Sequence, residues 1–306
     1  MTSHGTSAAP TRTRTLAVTH ETVYRYEQPV TTSDHVFRLR PVHDGAQAVL
    51  SFQLDVQPPG VTSPFEDLFG NLAHHHEPDA PFMEMRVVSR STVRLWTHPT
   101  LDPPNVKASV LPLVWAPSEQ RVLQPFLNAP ELPRPELRAI ADYGDDVADR
   151  NDYDLVSTLT DLAATIHHEF EYTPGVTTLQ TTPFEVLSSQ RGVCQDFANL
   201  FIAVVRLLRV PARYRVGYVF TGGDYTNREQ GDASHAWVEC YLPWLGWRGF
   251  DPTNGRAVDL DHVRVACGRD YRDATPTSGT IYEGGGSETL HASVEVQELT
   301  GSQTAS

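Results

Sequence analysis

The sequence predicts an α+β protein, with a β-sandwich-like N-terminal domain over 14–97 followed by a mixed unit of helices and strands. Two observations carry this. Up to residue 97 the apolar positions alternate with period two and are punctuated by Pro and Gly turns, with no helical spacing. Beyond residue 137 the apolar spacing becomes helical, and it returns to strand-like only after Pro211.

The elements follow in order. Residues 1–13 are rich in Ser, Thr, Ala and Gly and predict a disordered tail. Residues 15–26 alternate and carry β-branched and aromatic side chains, which predicts a strand. Further strands are expected at 35–39, 48–56 and 84–96, separated by Pro58-Pro59-Gly60 and Phe69-Gly70-Asn71. Several short strands between turns suggest the sandwich. The Pro-rich stretch within 98–150 predicts a connector with some short structure, and a helical period begins near Leu137. Leu155, Leu159, Leu162, Ile166 and Phe170 fall on one face of an amphipathic helix. From Cys194, the positions Phe197, Leu200, Phe201, Val204, Leu207 and Leu208 repeat at helical spacing until Pro211 stops them. Strands are expected at 212–220, 235–242 and 247–250. Residues 271–306 predict a Gly-rich loop, a last strand near 290–299 and a tail.

Composition narrows the function. The chain has 306 residues, 40% hydrophobic content and a formal charge of −14. So acidic a surface argues against nucleic acid or an anionic membrane as partner. The longest apolar run, Leu200 to Val205, stops at Arg206 and is far too short to span a bilayer. The polar N-terminus lacks the apolar segment of a secretory signal. Three widely spaced cysteines are no disulfide framework, so a cytoplasmic protein is expected.

Three local sequences carry the chemistry: Arg191-Gly192-Val193-Cys194-Gln195-Asp196, Ser234-His235-Ala236-Trp237-Val238-Glu239, and Gly249-Phe250-Asp251-Pro252-Thr253. A thiol, an imidazole and a carboxylate form the set needed for an activated thiolate nucleophile. Gly192-Val193 leads from a loop into a helix, so Cys194 sits where unpaired N–H groups favour a thiolate and can hold an oxyanion. Asp196 in the first turn suits the dipole but works against that thiolate. Alternation places His235, Trp237, Glu239 and Tyr241 on one face of a strand, and Ala236, Val238, Cys240 and Leu242 on the apolar core face. Cys240 is therefore read as structural; Cys267 has no partner motif and is read the same way. Glu239 shares the His235 face and could line a cleft, with a surface carboxylate the better expectation. The turn Pro243-Trp244-Leu245-Gly246 brings the Asp251 strand alongside His235.

Gly-Val-Cys-Gln-Asp-Phe-Ala at 192–198, His-Ala-Trp-Val-Glu at 235–239 and Phe-Asp-Pro-Thr at 250–253 resemble the core of bacterial transglutaminase-like cysteine enzymes. Pro211-Ala212-Arg213-Tyr214 and Gly217-Tyr218 match the same pattern. The N-terminal part, with Asp67-Leu68-Phe69-Gly70-Asn71, is similar to the β-rich domain preceding that core in one bacterial branch. The resemblance implies a papain-like catalytic core over 151–270, with the Cys helix packed on the sheet that carries His and Asp. It also implies acyl transfer through a thioester, with no metal and no other cofactor. The expected substrate is a peptide or protein amide, with Cys194, His235 and Asp251 as catalytic residues. Gln190 is a candidate second oxyanion donor, and Tyr218 and Trp237 are candidate substrate shelves. Peptidase, deamidase and transglutaminase chemistry share this triad and stay open. The rival from another class is an inactive peptide-binding or scaffolding module of the same fold. A metallohydrolase on His74-His75-His76 is a third idea. Neighbours along a chain cannot all point one way, so a solvated loop is the better expectation there. Asp145-Asp146 and Asp259 to Asp261 are likewise expected to be solvated faces or caps.

Overall fold

The computed structural model describes residues 12–97, 101, 109–222 and 234–299. The chain begins in strands β1 (Thr13–Phe37), β2 (Gln47–Gln57), β3 (Gly60–Glu66), β4 (Leu72–Pro78) and β5 (Phe82–Trp96). Helices α1 (Pro117–Leu127), α2 (Arg134–Asp149) and α3 (Leu155–Glu169) follow. Next come β6 (Glu171–Tyr172), α4 (Pro183–Ser189), β7 (Arg191–Gly192) and α5 (Cys194–Leu207). The remainder is β8 (Ala212–Val219), β9 (His235–Leu242), β10 (Gly246–Asp251), β11 (Arg256–Ala257), β12 (His262–Gly268), α6 (Tyr271–Ala274), β13 (Thr277–Gly284) and β14 (Glu288–Glu298). The fold is α+β, with a curled N-terminal sheet and a papain-like core.

The N-terminal strands form one sheet in the order β2-β5-β1-β4-β3, and β13 and β14 return from the end of the chain to pair with β1. The strands expected at 15–26 and 35–39 are parts of one 25-residue strand. Its burial explains the curl. Leu16, Val18, His20 and Thr22 face inward in strict alternation, then Thr22 and Val23 are buried side by side and the phase changes. The first half packs on the helices: Leu16, Val18, Val93 and Leu95 share one apolar cluster with α3, α5 and β8. The second half wraps a separate small core of Tyr26, Val30, Phe37, Leu39, Phe82, Met85 and Val87. Of the expected disordered tail, only Arg12 and Thr13 lie within the described residues, and Thr13 opens β1.

His74-His75-His76 is not a solvated loop. It lies in β4, where His76 is buried and bonded to Thr62 Oγ1 at 2.8 Å, while His74 stacks on Phe52. Strand alternation sends neighbouring histidines to opposite faces, and the aromatic partners hold His74 and His76 in place. The motif Asp67 to Asn71 is a clamp between the two units. Asp67 Oδ1 accepts from the backbone N–H of Phe69 and Asn71, and Asn71 exchanges two 2.8 Å hydrogen bonds with the Cys267 backbone on β12.

The second sheet has the order β11-β10-β9-β8-β12 and is antiparallel throughout. Helix α5 lies on it with Phe197, Leu200, Phe201 and Val204 buried against Ala236, Val238, Cys240 and Phe250. The face of β9 expected to be core is core. In α3, Asp154 caps the first turn by accepting from Ser157 N–H at 2.9 Å, and the face Leu155, Leu159, Leu162 and Ile166 is fully buried.

Candidate active site

Cys194 is the first residue of α5, and the chain before it is extended at Val193. Three features fix this start. Gly192 leaves room for the Asp196 side chain, which a Cβ at 192 would meet at 2.8 Å. Asp196 Oδ2 accepts the Val193 N–H at 2.8 Å, closing the first turn. It also accepts from Thr177 Oγ1 at 2.7 Å, which ties the preceding loop to the helix. Burial pushes the Asp196 carboxyl above the usual range, partly offset by these two donors. The thiol is half-buried at a helix N-terminus, where the Cys194 and Gln195 N–H groups precede the first helical hydrogen bond, made by the Asp196 N–H to the Val193 carbonyl at 2.9 Å.

His235 opens β9, and Asp251 closes β10. Phe250 pairs with Val238, so Asp251 falls opposite Trp237 and diagonal to His235 on the same face. His235 Nε2 donates to Asp251 Oδ2 at 2.8 Å, and both side chains are buried. A further side-chain hydrogen bond joins His235 to Cys194. With Nε2 committed to Asp251, Nδ1 is the ring atom left for the thiol. Burial works against a charged ring, but the Asp251 charge and hydrogen bond, together with Cys194, push His235 up to about 10. Burial likewise opposes the Asp251 charge, yet His235 and His262 hold that carboxyl far below its ordinary value. The structure thus brings Cys194, His235 and Asp251 together.

Asp251 also begins a turn, as Asp before Pro often does. Its Oδ1 accepts the N–H groups of Thr253 at 3.0 Å and Asn254 at 3.2 Å. The second oxygen, Oδ2, faces His235, Asn254 Nδ2 at 2.6 Å and His262 Nε2 at 3.0 Å. His167 of α3 steadies the same turn by donating from Nδ1 to the Thr253 carbonyl at 2.8 Å.

His262 is the residue that the sequence reasoning missed. It opens β12, and its Nδ1 faces Asp261 Oδ1 at 2.7 Å. Asp261 is no solvated cap: it is buried and also binds Arg256. Burial opposes its charge, but His262 and Arg256 hold it down at about 2. The available signal was the dipeptide Asp261-His262 ten residues past Asp251. His262 reaches the cluster across β8 because Gly217 has no side chain. A Cβ there would lie 2.0 Å from the Val263 carbonyl oxygen and 2.6 Å from the Trp237 ring.

The other expected contributors have different surroundings. Trp237 is fully buried, stacked at 6.0 Å on His235 and edge-on at 5.2 Å to His262. Tyr218 is buried, and its hydroxyl bonds His20 Nδ1 of β1 at 2.9 Å. Both rings pack within the protein interior. Gln190 caps α4 in the left-handed region, with φ 52°, and is exposed. Glu239 is not a surface carboxylate. It is buried and paired with Arg213 and Arg215, each at 2.7 Å, an arrangement that stabilises its charge inside the sheet.

Among the described residues, the ligand atoms of His235, Asp251 and His262 lie within 4.8 Å of one another. They do not make a metal site. Both His262 nitrogens face carboxylate oxygens, and His235 Nε2 spends its proton on Asp251, so these nitrogens offer a cation no lone pair.

Residues 16–94 match the bacterial transglutaminase-like N-terminal region, and residues 141–252 match the transglutaminase-like superfamily core. The chain belongs to the transglutaminase-like superfamily. The core match contains Cys194, His235 and Asp251. An uncharacterized protein of Mycobacterium tuberculosis is 33% identical over 299 residues, covering 93% of each chain. A protein-glutamine gamma-glutamyltransferase of Pseudomonas aeruginosa is 34% identical over 93 residues, 28% of this chain and 14% of that protein. A solved structure from Cytophaga hutchinsonii, described as a candidate cysteine protease, aligns with TM-score 0.74 at 22% identity. It covers 94% of this chain and 92% of that one, and the likeness is one of fold.

Proposed function

We propose that this member of the superfamily is a cysteine-dependent acyl-transfer enzyme acting on amide bonds of peptides or proteins. The observation that carries the reading is the hydrogen-bonded line from Cys194 through His235 to Asp251, with the thiol at a helix N-terminus. The Cys194 thiolate attacks the amide carbonyl carbon and forms a C–S bond. First-turn N–H groups of α5 hold the oxyanion that develops. The C–N bond then breaks as His235 gives its proton to the departing amine or ammonia. Water or an amine attacks the resulting thioester, passes its proton to His235, and releases Cys194. Asp251 keeps the ring in the tautomer that presents Nδ1 to the thiol. The step needs no redox partner or cofactor. No described helix is long and apolar enough to cross a membrane. We propose a cytoplasmic location, a reading supported by three unpaired cysteines, which suit a reducing compartment.

The test compares wild type with Cys194→Ala in three assays: ammonia release from a glutamine peptide, incorporation of a primary amine, and peptide-bond cleavage. At least one activity is expected in wild type and none in the variant. An activity that survives the substitution, or a folded wild type silent in all three, would count against the enzyme reading.

A further inference from the structure

The buried chain of charges does not end at Asp251. Beyond it stand His262 on β12, Asp261 beside it, and Arg256 on β11. His262 has both ring nitrogens against carboxylate oxygens, Nε2 at 3.0 Å from Asp251 Oδ2 and Nδ1 at 2.7 Å from Asp261 Oδ1. An ionised carboxylate only accepts hydrogen bonds, so each contact requires a proton on the imidazole nitrogen. The alternative, a protonated carboxyl, is disfavoured on both sides. Asp251 already accepts from His235, Thr253 and Asn254, and Asp261 binds the Arg256 guanidinium.

We propose that His262 is a positioning residue, a lasting imidazolium whose charge offsets that of Asp251 and so sets how tightly His235 keeps its proton. The inference rests on the thiol–imidazole reading above and deepens it. Asp251 and Asp261 carry two negative charges, and His262 and Arg256 carry two positive ones. His235 is therefore oriented by a carboxylate that sits in a nearly neutral assembly. A bare carboxylate would hold the imidazolium more firmly and slow its return of a proton to the leaving group.

The groups around His262 are consistent with this. From β9 come the His235 ring, with centroids 6.3 Å apart, and the uncharged Trp237 ring. From β10 and its turn come Asp251 and the neutral Asn254 amide, and Cys194 lies on the far side of His235. Val219 of β8, the strand partner of His262, is apolar. Asp259 meets His262 only through a backbone carbonyl. Glu239, farther along β9, is paired with both Arg213 and Arg215, so that group adds no negative charge near His262.

The experiment is the rate of Cys194 alkylation by iodoacetamide across pH 5 to 10, for wild type, His262→Gln and Asp261→Asn. Removing a positive charge near His235 favours the protonated ring and disfavours the thiolate. The limb on which the thiolate forms is therefore expected to move to higher pH, by about one unit, and the limb on which His235 loses its proton, already at the top of the range, to move out of it. Asp261→Asn leaves the ring in place and lets Nδ1 lose its proton. One negative and one positive charge go together, but the lost His262 charge is the nearer to His235, so a smaller shift in the same direction is expected. Nitrogen-15 NMR of wild-type histidines at pH 8, with His262 assigned from the Asp261→Asn spectrum, is expected to show both ring nitrogens protonated. Unmoved limbs with a uniformly lower rate would mean that His262 is only structural. A neutral tautomer at pH 8 would overturn the proposal directly. If wild-type Cys194 reacts no faster than a free thiol at any pH, the thiol–imidazole reading fails first and the role of His262 falls with it.

Discussion

Asp251 does two jobs with its two oxygens. One oxygen ties down the turn through Thr253 and Asn254, and the other faces the two imidazoles. Asp251→Asn separates these jobs, because an amide oxygen can still accept from the turn while the charge is gone. We expect the protein to fold and turnover to fall by roughly 10³–10⁴-fold, as the ring loses its proper tautomer. Steady-state rates beside an unfolding curve check this. A loss smaller than tenfold in a folded variant would mean that Asp251 does not orient His235. At this scale the juxtaposition of Cys194, His235 and Asp251 was legible, since each sits in its own short motif and β-alternation separates His235 from Cys240. His262 was not legible. It is placed by the pairing of β12 with β8 at the edge of the sheet, and the Asp261-His262 dipeptide alone does not distinguish buried partners from a solvated acidic turn. Glu239 was misread for the same reason: its partners Arg213 and Arg215 lie on β8, a neighbour fixed only by sheet order.

Among the elements, β8 decides how the site is assembled. Gly217 pairs with His235 on one side and Arg264 on the other, and its missing side chain lets the Trp237 ring pass toward His262. Gly217→Ala would force β12 or Trp237 aside. We expect a loss of about 1–3 kcal/mol in unfolding free energy, together with lowered activity. Denaturant melts and turnover measured on one preparation check it. Wild-type values for both would show that the close approach is not required. Helices α3 and α5 were readable because their apolar faces repeat over three turns or more. The continuity of β1 was not, because Glu27-Gln28-Pro29 looks like a break, and pairing with β5, β13 and β14 on either side of it carries the strand past. The histidines of β4 are polar by type, and their aromatic neighbours Phe37 and Phe52 come from other strands.

Across the whole molecule, the two sheets share one apolar cluster, and buried polar groups join them. Burial holds His20 down at about 4, and it bonds Tyr218 across the units. Burial also lowers His35 to about 4, within the N-terminal sheet. A histidine with a depressed folded pKa is protonated more readily when unfolded. Stability from these two groups is therefore full above about 6.5 and lost as pH falls toward 4. For His20 this amounts to roughly 3 kcal/mol. His235, raised to about 10, behaves oppositely. Its contribution is full below about 6.5 and disappears as pH climbs through 10. Thermal midpoints should therefore peak near pH 6.5 and decline on both sides. His20→Gln should flatten the acid limb alone, and an acid limb unchanged in that variant would exclude His20 as its cause.

The central claim is that Cys194 is activated by His235. The most direct measurement is the rate of iodoacetamide labelling at Cys194 near neutral pH, mapped by peptide mass spectrometry, in wild type and His235→Ala. Fast labelling of wild-type Cys194 that is lost in the variant is the predicted result. Labelling no faster than that of a free cysteine, or the same in both proteins, would contradict the account.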